Sequence, residues 1–128
     1  MIRVTAAILM HDNRILIAQR GDKDTLAGKW EFPGGKIEDN ETPQQCLIRE
    51  MNEEFGINVA IKGFFAENTY KYEKETIQLL AYHAVWKDGN FSLNAHAAIK
   101  WALLNELQKF EFAPADKPFV EKLQQINI

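Results

Sequence analysis

Three glutamates, Glu50, Glu53 and Glu54, fall at i, i+3 and i+4, and no other feature of this chain limits its fold so tightly. At that spacing three carboxylates stack on one face of a helix. Like charges so placed repel, and an ordinary surface helix intersperses lysines among them. A hard divalent cation reverses the sign, because oxygen ligands are what magnesium and manganese take. The competing reading, a solvated acidic face, loses ground as the flanking residues are added. Thr42 is a good N-cap, Pro43 suits the first helical position, and Gln45 completes a capping box. Leu47, Ile48, Met51 and Phe55 form an apolar stripe, and Gly56 follows as the C′ residue. Arg49 precedes Glu53 by four, so a cation stands ready to hold a carboxylate in place. Gly34 and Gly35 lie upstream, where a glycine pair permits a sharp turn that exposes a carbonyl.

The run Gly35, Glu41, Arg49, Glu50, Met51, Glu53, Glu54, Gly56, Ile57 resembles the Nudix box, here residues 35–57, with Met51 and Ile57 in its apolar slots. Seven specified types at ~5–7% usage each meet by chance in about one such chain per million. Trp30-Glu31-Phe32-Pro33 before the glycines and Pro114-Ala115-Asp116 near the end extend the resemblance to the MutT-like branch. That branch includes pyrophosphohydrolases of CTP and of oxidised nucleotides. The resemblance implies an α/β/α sandwich with a mixed β-sheet.

Composition sets the outer bounds. The chain has 128 residues, enough for one compact domain over 1–128 and its core. Hydrophobic residues at 46% and charged ones at 26% are ordinary for a globular protein. A net charge of −3 argues against a nucleic-acid polymer as partner, since such binders carry broad basic patches. A nucleotide stays open, because a metal and a few cations meet its phosphates. One cysteine precludes an internal disulfide and suits a reducing compartment. Cys46, beside Leu47, reads as a packing residue. No apolar run approaches the ~20 residues of a membrane span, and no cleavable signal precedes the strand pattern at Met1-Ile2-Arg3-Val4. We expect a cytoplasmic protein with no membrane partner, a monomer or at most a weak dimer.

Val4 to Leu9 and Ile15 to Ala18 read as strands joined by a hairpin turn at His11-Asp12-Asn13-Arg14. Residues 21–29 form a polar loop, and the aromatics of Trp30-Glu31-Phe32 share one face of an extended piece. Beyond the helix, Asn58 to Ala66 reads as a strand interrupted at Gly63, and Tyr70 to Glu75 as a charged turn. Thr76 to Trp86 is a long strand, with a packed or hydrogen-bonded His83, ended by Asp88-Gly89. Phe91 to Leu93 and Ile99 to Leu103 read as short strands, and Leu104 to Phe110 as one or two helical turns. Asp116 is placed to cap a last helix whose Phe119, Val120 and Leu123 face inward. The order β-β-α-β-β-β-α makes a layered α/β domain.

By resemblance, Glu50, Glu53 and Glu54 hold magnesium, or manganese in its place, and the carbonyl of Gly34 or Gly35 completes the shell. Arg49 orients Glu53, Glu41 acts in support by bonding to the loop, and Glu53 is the expected base. Arg20, at a strand end, reads equally as a solvated cation or as a bidentate partner for phosphate; the resemblance favours phosphate. Lys36 joins it as a substrate contact. Phe32 is the candidate ring for base stacking. Asp116 either caps its helix or reads the base, where an ionised carboxylate accepts hydrogen bonds from cytosine, adenine or a protonated N7 of oxidised guanine. Two positions depart from the family. MutT-like enzymes usually place a glutamate six residues before the tryptophan matched by Trp101, and this chain has Ala95 there, which makes His96 a rival base. Glu75 replaces an arginine often found beside the base. The expected activity is magnesium-dependent hydrolysis of a nucleoside triphosphate to nucleoside monophosphate and pyrophosphate. The alternatives are hydrolysis of another nucleoside diphosphate derivative, such as ADP-ribose or a dinucleotide polyphosphate, and a low-turnover nucleotide-binding module.

Overall fold

A computed structural model describes residues 1–22, 25–92 and 96–126 of the chain. Strands β1 (Ile2–His11) and β2 (Arg14–Arg20) form the hairpin. Its turn residues Asp12 and Asn13 have φ of 50° and 67°, the left-handed pair that a tight hairpin needs and that these residue types tolerate. Then come β3 (Trp30–Glu31), α1 (Pro43–Phe55), β4 (Asn58–Lys71), β5 (Thr76–Asp88) and β6 (His96–Leu103). Two short 3-10 segments, Leu104–Lys109 and Pro114–Asp116, lead into α2 (Lys117–Ile126). No described helix is long and apolar enough to cross a membrane.

The strands lie in the order β3-β2-β1-β5-β4, and β6 pairs with β2. β1 runs parallel to β5 while the remaining ladders are antiparallel, so the sheet is mixed as expected. β1 and β2 pair beside their hairpin, Met10 with Ile15 and His11 with Arg14. Farther along, the glycine loop takes over the edge of β1. Ala7 N–H donates to the Pro33 carbonyl at 2.7 Å, Thr5 N–H to the Gly35 carbonyl at 2.8 Å, and Ile37 N–H to the Arg3 carbonyl at 3.0 Å. The loop is therefore fixed as firmly as a strand, at the fork where β1 and β2 part.

Alternation along the hairpin feeds two cores. Ala6, Ile8, Ile15 and Ile17 pack with Phe119, Val120 and Leu123 of α2, and Ala7, Leu9, Leu16 and Ala18 pack with Leu47, Met51 and Phe55 of α1. Strands buried on both faces are apolar at every position, which is why these two read as unbroken runs. The helices lie on opposite faces and complete the three layers. Burying each large side chain contributes about 1.5–3 kcal/mol, so the acidic helix is anchored chiefly by the residues beneath it. Its ends are fixed as the sequence indicates: Thr42 Oγ1 accepts the Gln45 N–H at 3.1 Å and Gln45 Oε1 accepts the Thr42 N–H at 2.9 Å. Gly56 closes the helix at φ 72°.

Several boundaries move. β4 continues through Tyr70 to Lys71, and Gly63 marks a register shift inside it, not a break. The charged turn shrinks to 72–75, where Tyr72 N–H donates to the Glu75 carbonyl at 2.8 Å. Phe91 and Ser92 belong to no strand; Phe91 packs edge-on to Trp86 and Trp101, and Leu93 lies outside the described residues. β6 starts at His96, three residues before Ile99, because β2 continues to pair with it as far as Arg20. Ile48 is 42% exposed, since the buried stripe narrows to the i, i+4 row of Leu47, Met51 and Phe55. His83 is an exposed residue whose ring stands edge-on to Phe65.

Candidate active site

Arg49 is the hub of the α1 face. Its Nε and Nη2 grip the two oxygens of Glu41 at 2.7 and 3.0 Å. Its Nη1 donates to Glu50 Oε1 at 2.8 Å and to Glu53 Oε2 at 3.0 Å, and its Nη2 also reaches the Lys36 carbonyl at 3.1 Å. The expected pairing with Glu53 is thus one contact of several. Glu41 also accepts the Glu38 N–H at 3.0 Å, which ties it to the loop. Bonded to Arg49 first and to that N–H second, its carboxyl is held down at about 2. Burial pushes the Glu50 carboxyl up despite Arg49, with Glu54 and Glu53 adding to the effect. Cys46 is buried, its thiol raised to about 11 chiefly by burial, which suits packing and not nucleophilic attack.

The two glycines permit close approach, not an unusual turn. A Cβ at Gly35 would lie 2.2 Å from the Glu50 carboxyl carbon, and one at Gly34 would lie 2.0 Å from the Thr5 carbonyl oxygen. Neither residue has a left-handed φ. The Gly35 carbonyl accepts from Thr5 N–H and, at 3.2 Å, from Thr5 Oγ1.

Glu54 turns away from Arg49 toward β6. Its Oε2 is buried without a hydrogen-bond partner, and so is His96 Nδ1, 3.9 Å away. The His96 ring stacks on Phe55 at 5.3 Å, while its Nε2 lies 2.7 Å from Glu31 Oε2. Glu31 Oε1 in turn accepts from Arg20 Nη1 at 2.8 Å, and Arg20 Nε donates to the Thr25 carbonyl at 2.9 Å. A bulge creates this corner: Gln19 pairs with Ala98 but Arg20 pairs with His96, which slips the alternation by one residue. Ala95 lies outside the described residues.

A cleft of about 530 Å³ opens beside the corner, with Arg20, Glu31, Gly34, Gly35 and Lys36 in its wall and Tyr72, Glu75 and Asp116 also lining it. The Asp116 carboxylate is 5% exposed and accepts the Phe32 N–H at 3.0 Å. That bond spans the fold and replaces the expected helix cap. Burial, and then the charge of Glu31, hold its carboxyl well above the ordinary range. Its 3-10 turn is pinned on both sides: Ala115 N–H donates to Tyr72 Oη at 3.0 Å, and Asn68 Nδ2 to the Ala115 carbonyl at 3.0 Å. Phe32 is a core ring, 3% exposed and stacked on Phe112 at 5.2 Å, because its alternation with Trp30 puts both on the α2 side. It reaches the cleft as part of the wall, not as a projecting platform. Sequence reasoning missed Glu31 and Tyr72. Glu31 had a signal, an acid between two aromatics of an extended piece; Tyr72 had none.

Among the described residues, no three Asp, Glu, His or Cys side chains surround one point. Arg49 draws Glu50 and Glu53 to itself, and Glu54 goes the other way. The donor set nevertheless fits a hard divalent cation: three neighbouring carboxylates, one with a buried oxygen that has no hydrogen-bond partner among the described residues. Glu50, Glu53, Glu54 and the Gly34 carbonyl are the groups that could hold it.

The chain matches the NUDIX domain family over residues 1–123. It belongs to the Nudix family. It is 38% identical over 127 residues to a CTP pyrophosphohydrolase of Escherichia coli (strain K12), covering 99% of this chain and 94% of that protein. It is 31% identical over 126 residues to an 8-oxo-dGTP diphosphatase of the same organism, covering 98% of each. The solution structure of the E. coli ORF135 protein superposes with a TM-score of 0.85 at 36% identity, over 99% of this chain and 91% of that one. As a Nudix hydrolase the chain is an enzyme that works with a divalent metal ion.

Proposed function

We propose that this Nudix enzyme, acting as one domain, hydrolyses a nucleoside triphosphate, CTP or an oxidised purine nucleotide, to nucleoside monophosphate and pyrophosphate. The supporting observation is one cleft lined by two kinds of group: the cations Arg20 and Lys36 with the glycine loop, and the buried Asp116 carboxyl. Its volume of about 530 Å³ lies in the range of small-molecule sites. Magnesium, or manganese in its place, supplies neutralisation of the phosphate oxygens when bound. Arg20 and Lys36 meet the remaining phosphate charge, Arg20 through the guanidinium edge that Glu31 orients. Arg49 keeps Glu41, Glu50 and Glu53 in register, and Glu53, the most exposed of the three, takes the proton of the attacking water. Water attacks the β phosphorus, the bond from that phosphorus to the α–β bridging oxygen breaks, and nucleoside monophosphate leaves while the new oxygen stays in pyrophosphate. In the same cleft, the raised Asp116 carboxyl donates as well as accepts when protonated, which matches the N3 and N4 edge of cytosine or the N1 and N6 edge of adenine. We place the enzyme in the cytoplasm, where its substrates and a reduced Cys46 belong, and as a monomer.

The test is pyrophosphate release with magnesium from CTP, dCTP, 8-oxo-dGTP, ATP, ADP-ribose and a dinucleotide polyphosphate. At least one triphosphate should yield pyrophosphate and monophosphate in equal amounts. Turnover confined to ADP-ribose or the dinucleotide would transfer the enzyme to the other substrate class, and none at all would leave a binding module.

A further inference from the structure

Glu31, paired with Arg20, is an acceptor toward His96, so the His96 Nε2 that lies 2.7 Å from it carries the proton. In the neutral ring this leaves Nδ1 as a lone pair, and that lone pair faces a second acceptor, Glu54 Oε2, across 3.9 Å. Neither atom has another partner among the described residues, and the His96 side chain is 8% exposed. The gap is too long for a hydrogen bond. It suits a single cation, because two ligand bonds of about 2.0–2.2 Å together span at most about 4.0–4.4 Å and less when bent. The far side of the ring fits the same reading: a histidine that binds metal through one nitrogen commonly donates the other N–H to a carboxylate. Stacking on Phe55 fixes the ring plane, and the bulge at Arg20 aims it.

We propose that His96 Nδ1 and Glu54 Oε2 jointly ligate a divalent cation, making this a mixed nitrogen and oxygen site. The inference rests on the hydrolase reading above, in which Glu54 is already a cation ligand. Imidazole favours Co2+ over Mg2+, whereas a purely carboxylate site discriminates less.

The full chain loaded with Mn2+ and without nucleotide is the probe, read by pulsed electron paramagnetic resonance. Wild type should show 14N coupling from a directly bound imidazole. His96→Gln should abolish it, and the double variant His11→Gln/His83→Gln, in which His96 is the remaining histidine, should retain it. By titration, His96→Gln should weaken Co2+ binding about tenfold and Mg2+ binding less than about twofold; a merely structural role would weaken both alike. If His96→Gln misfolds, the double variant still assigns the nitrogen. Mn2+ bound without 14N coupling overturns the inference and leaves the hydrolase reading standing. Failure to take up Mn2+ also overturns it, and overturns the reading as well if no triphosphate yields pyrophosphate.

Discussion

Arg49 and Arg20 both hold glutamates, but they gather them by different means. Arg49 takes Glu41, Glu50 and Glu53 from within eight residues of itself, with α1 as the ruler. Arg20 holds Glu31, and Glu31 holds His96 from 65 positions away, across strands and a bulge. Helical geometry specifies Glu50 and Glu53 in the first cluster, and the short loop before the capped helix start adds Glu41. The second exists only once β2, β3 and β6 have paired. On the proposed function, the α1 cluster concentrates negative charge for a cation, while the β2–β6 corner couples a phosphate-binding Arg20 to His96 and, through it, to Glu54.

The sharpest way to break this division is Glu53→Gln. The side chain is 58% exposed, so the fold should survive with an unchanged melting temperature. Removing the charge should lower kcat by at least ~100-fold. Near-normal pyrophosphate release would take the α1 cluster out of the chemistry.

Next in size is Arg49→Lys. A lysine keeps the charge but lacks the fork that grips both oxygens of Glu41 while reaching Glu50 and Glu53. Activity or metal affinity should fall about 10–100-fold. The Glu41 carboxyl should then rise from about 2 toward its ordinary value, which a carboxyl NMR titration reads directly. The sign follows from linkage: a depressed carboxyl contributes stability above its ordinary range, and that stability is lost as pH falls toward 2. Acid unfolding of Arg49→Lys should therefore show less dependence on pH across that window than wild type. An unmoved Glu41 would mean that the Glu38 N–H, not Arg49, sets its acidity.

The same contrast decides what the sequence could disclose. The helix, its caps and the carboxylate spacing are local, and all were legible. Both buried strands were too, because burial on two faces leaves an apolar run. Gly34 and Gly35 were legible as necessary but for the wrong reason, since contact with Thr5 and the Glu50 carboxyl demands them, not backbone freedom. The partners of Asp116 and His96 were not legible. Phe32 N–H lies 84 positions from Asp116, and no local pattern says that a carboxylate beside a helix start will be claimed from another element. Alternation counted from Trp101 cannot foresee the bulge that brings His96 opposite Arg20.

Arg20→Ala tests the corner from its phosphate side. If the corner binds and α1 catalyses, KM for the triphosphate should rise about tenfold while kcat changes less than about threefold. A matching loss in kcat would show that Arg20, through Glu31 and His96, reaches the transition state as well. Unchanged kinetics with every nucleotide would leave it with a structural role beside Glu31 and Thr25.

The smallest expected effect lies at Asp116, and it appears in stability. The Asp116 carboxyl is raised, chiefly by burial and then by Glu31, so the folded state binds its proton more tightly than the unfolded chain does. Ionising it therefore costs stability, a penalty absent below the ordinary aspartate range and growing as pH rises through the folded value. Asp116→Asn keeps an oxygen to accept the Phe32 N–H and removes the ionisation. The variant should match wild type near pH 3 and be the more stable at pH 8, by on the order of 1 kcal/mol, or roughly 4 °C in melting temperature. Because an amide cannot alternate between donor and acceptor at one oxygen, the order of preference among CTP, ATP and 8-oxo-dGTP should change at the same time, with kcat on the best substrate largely retained. Equal melting temperatures at both pH values would show that the buried carboxyl carries no ionisation penalty. A gain in stability with unchanged base preference would leave Asp116 as the strut that holds Phe32 and nothing more.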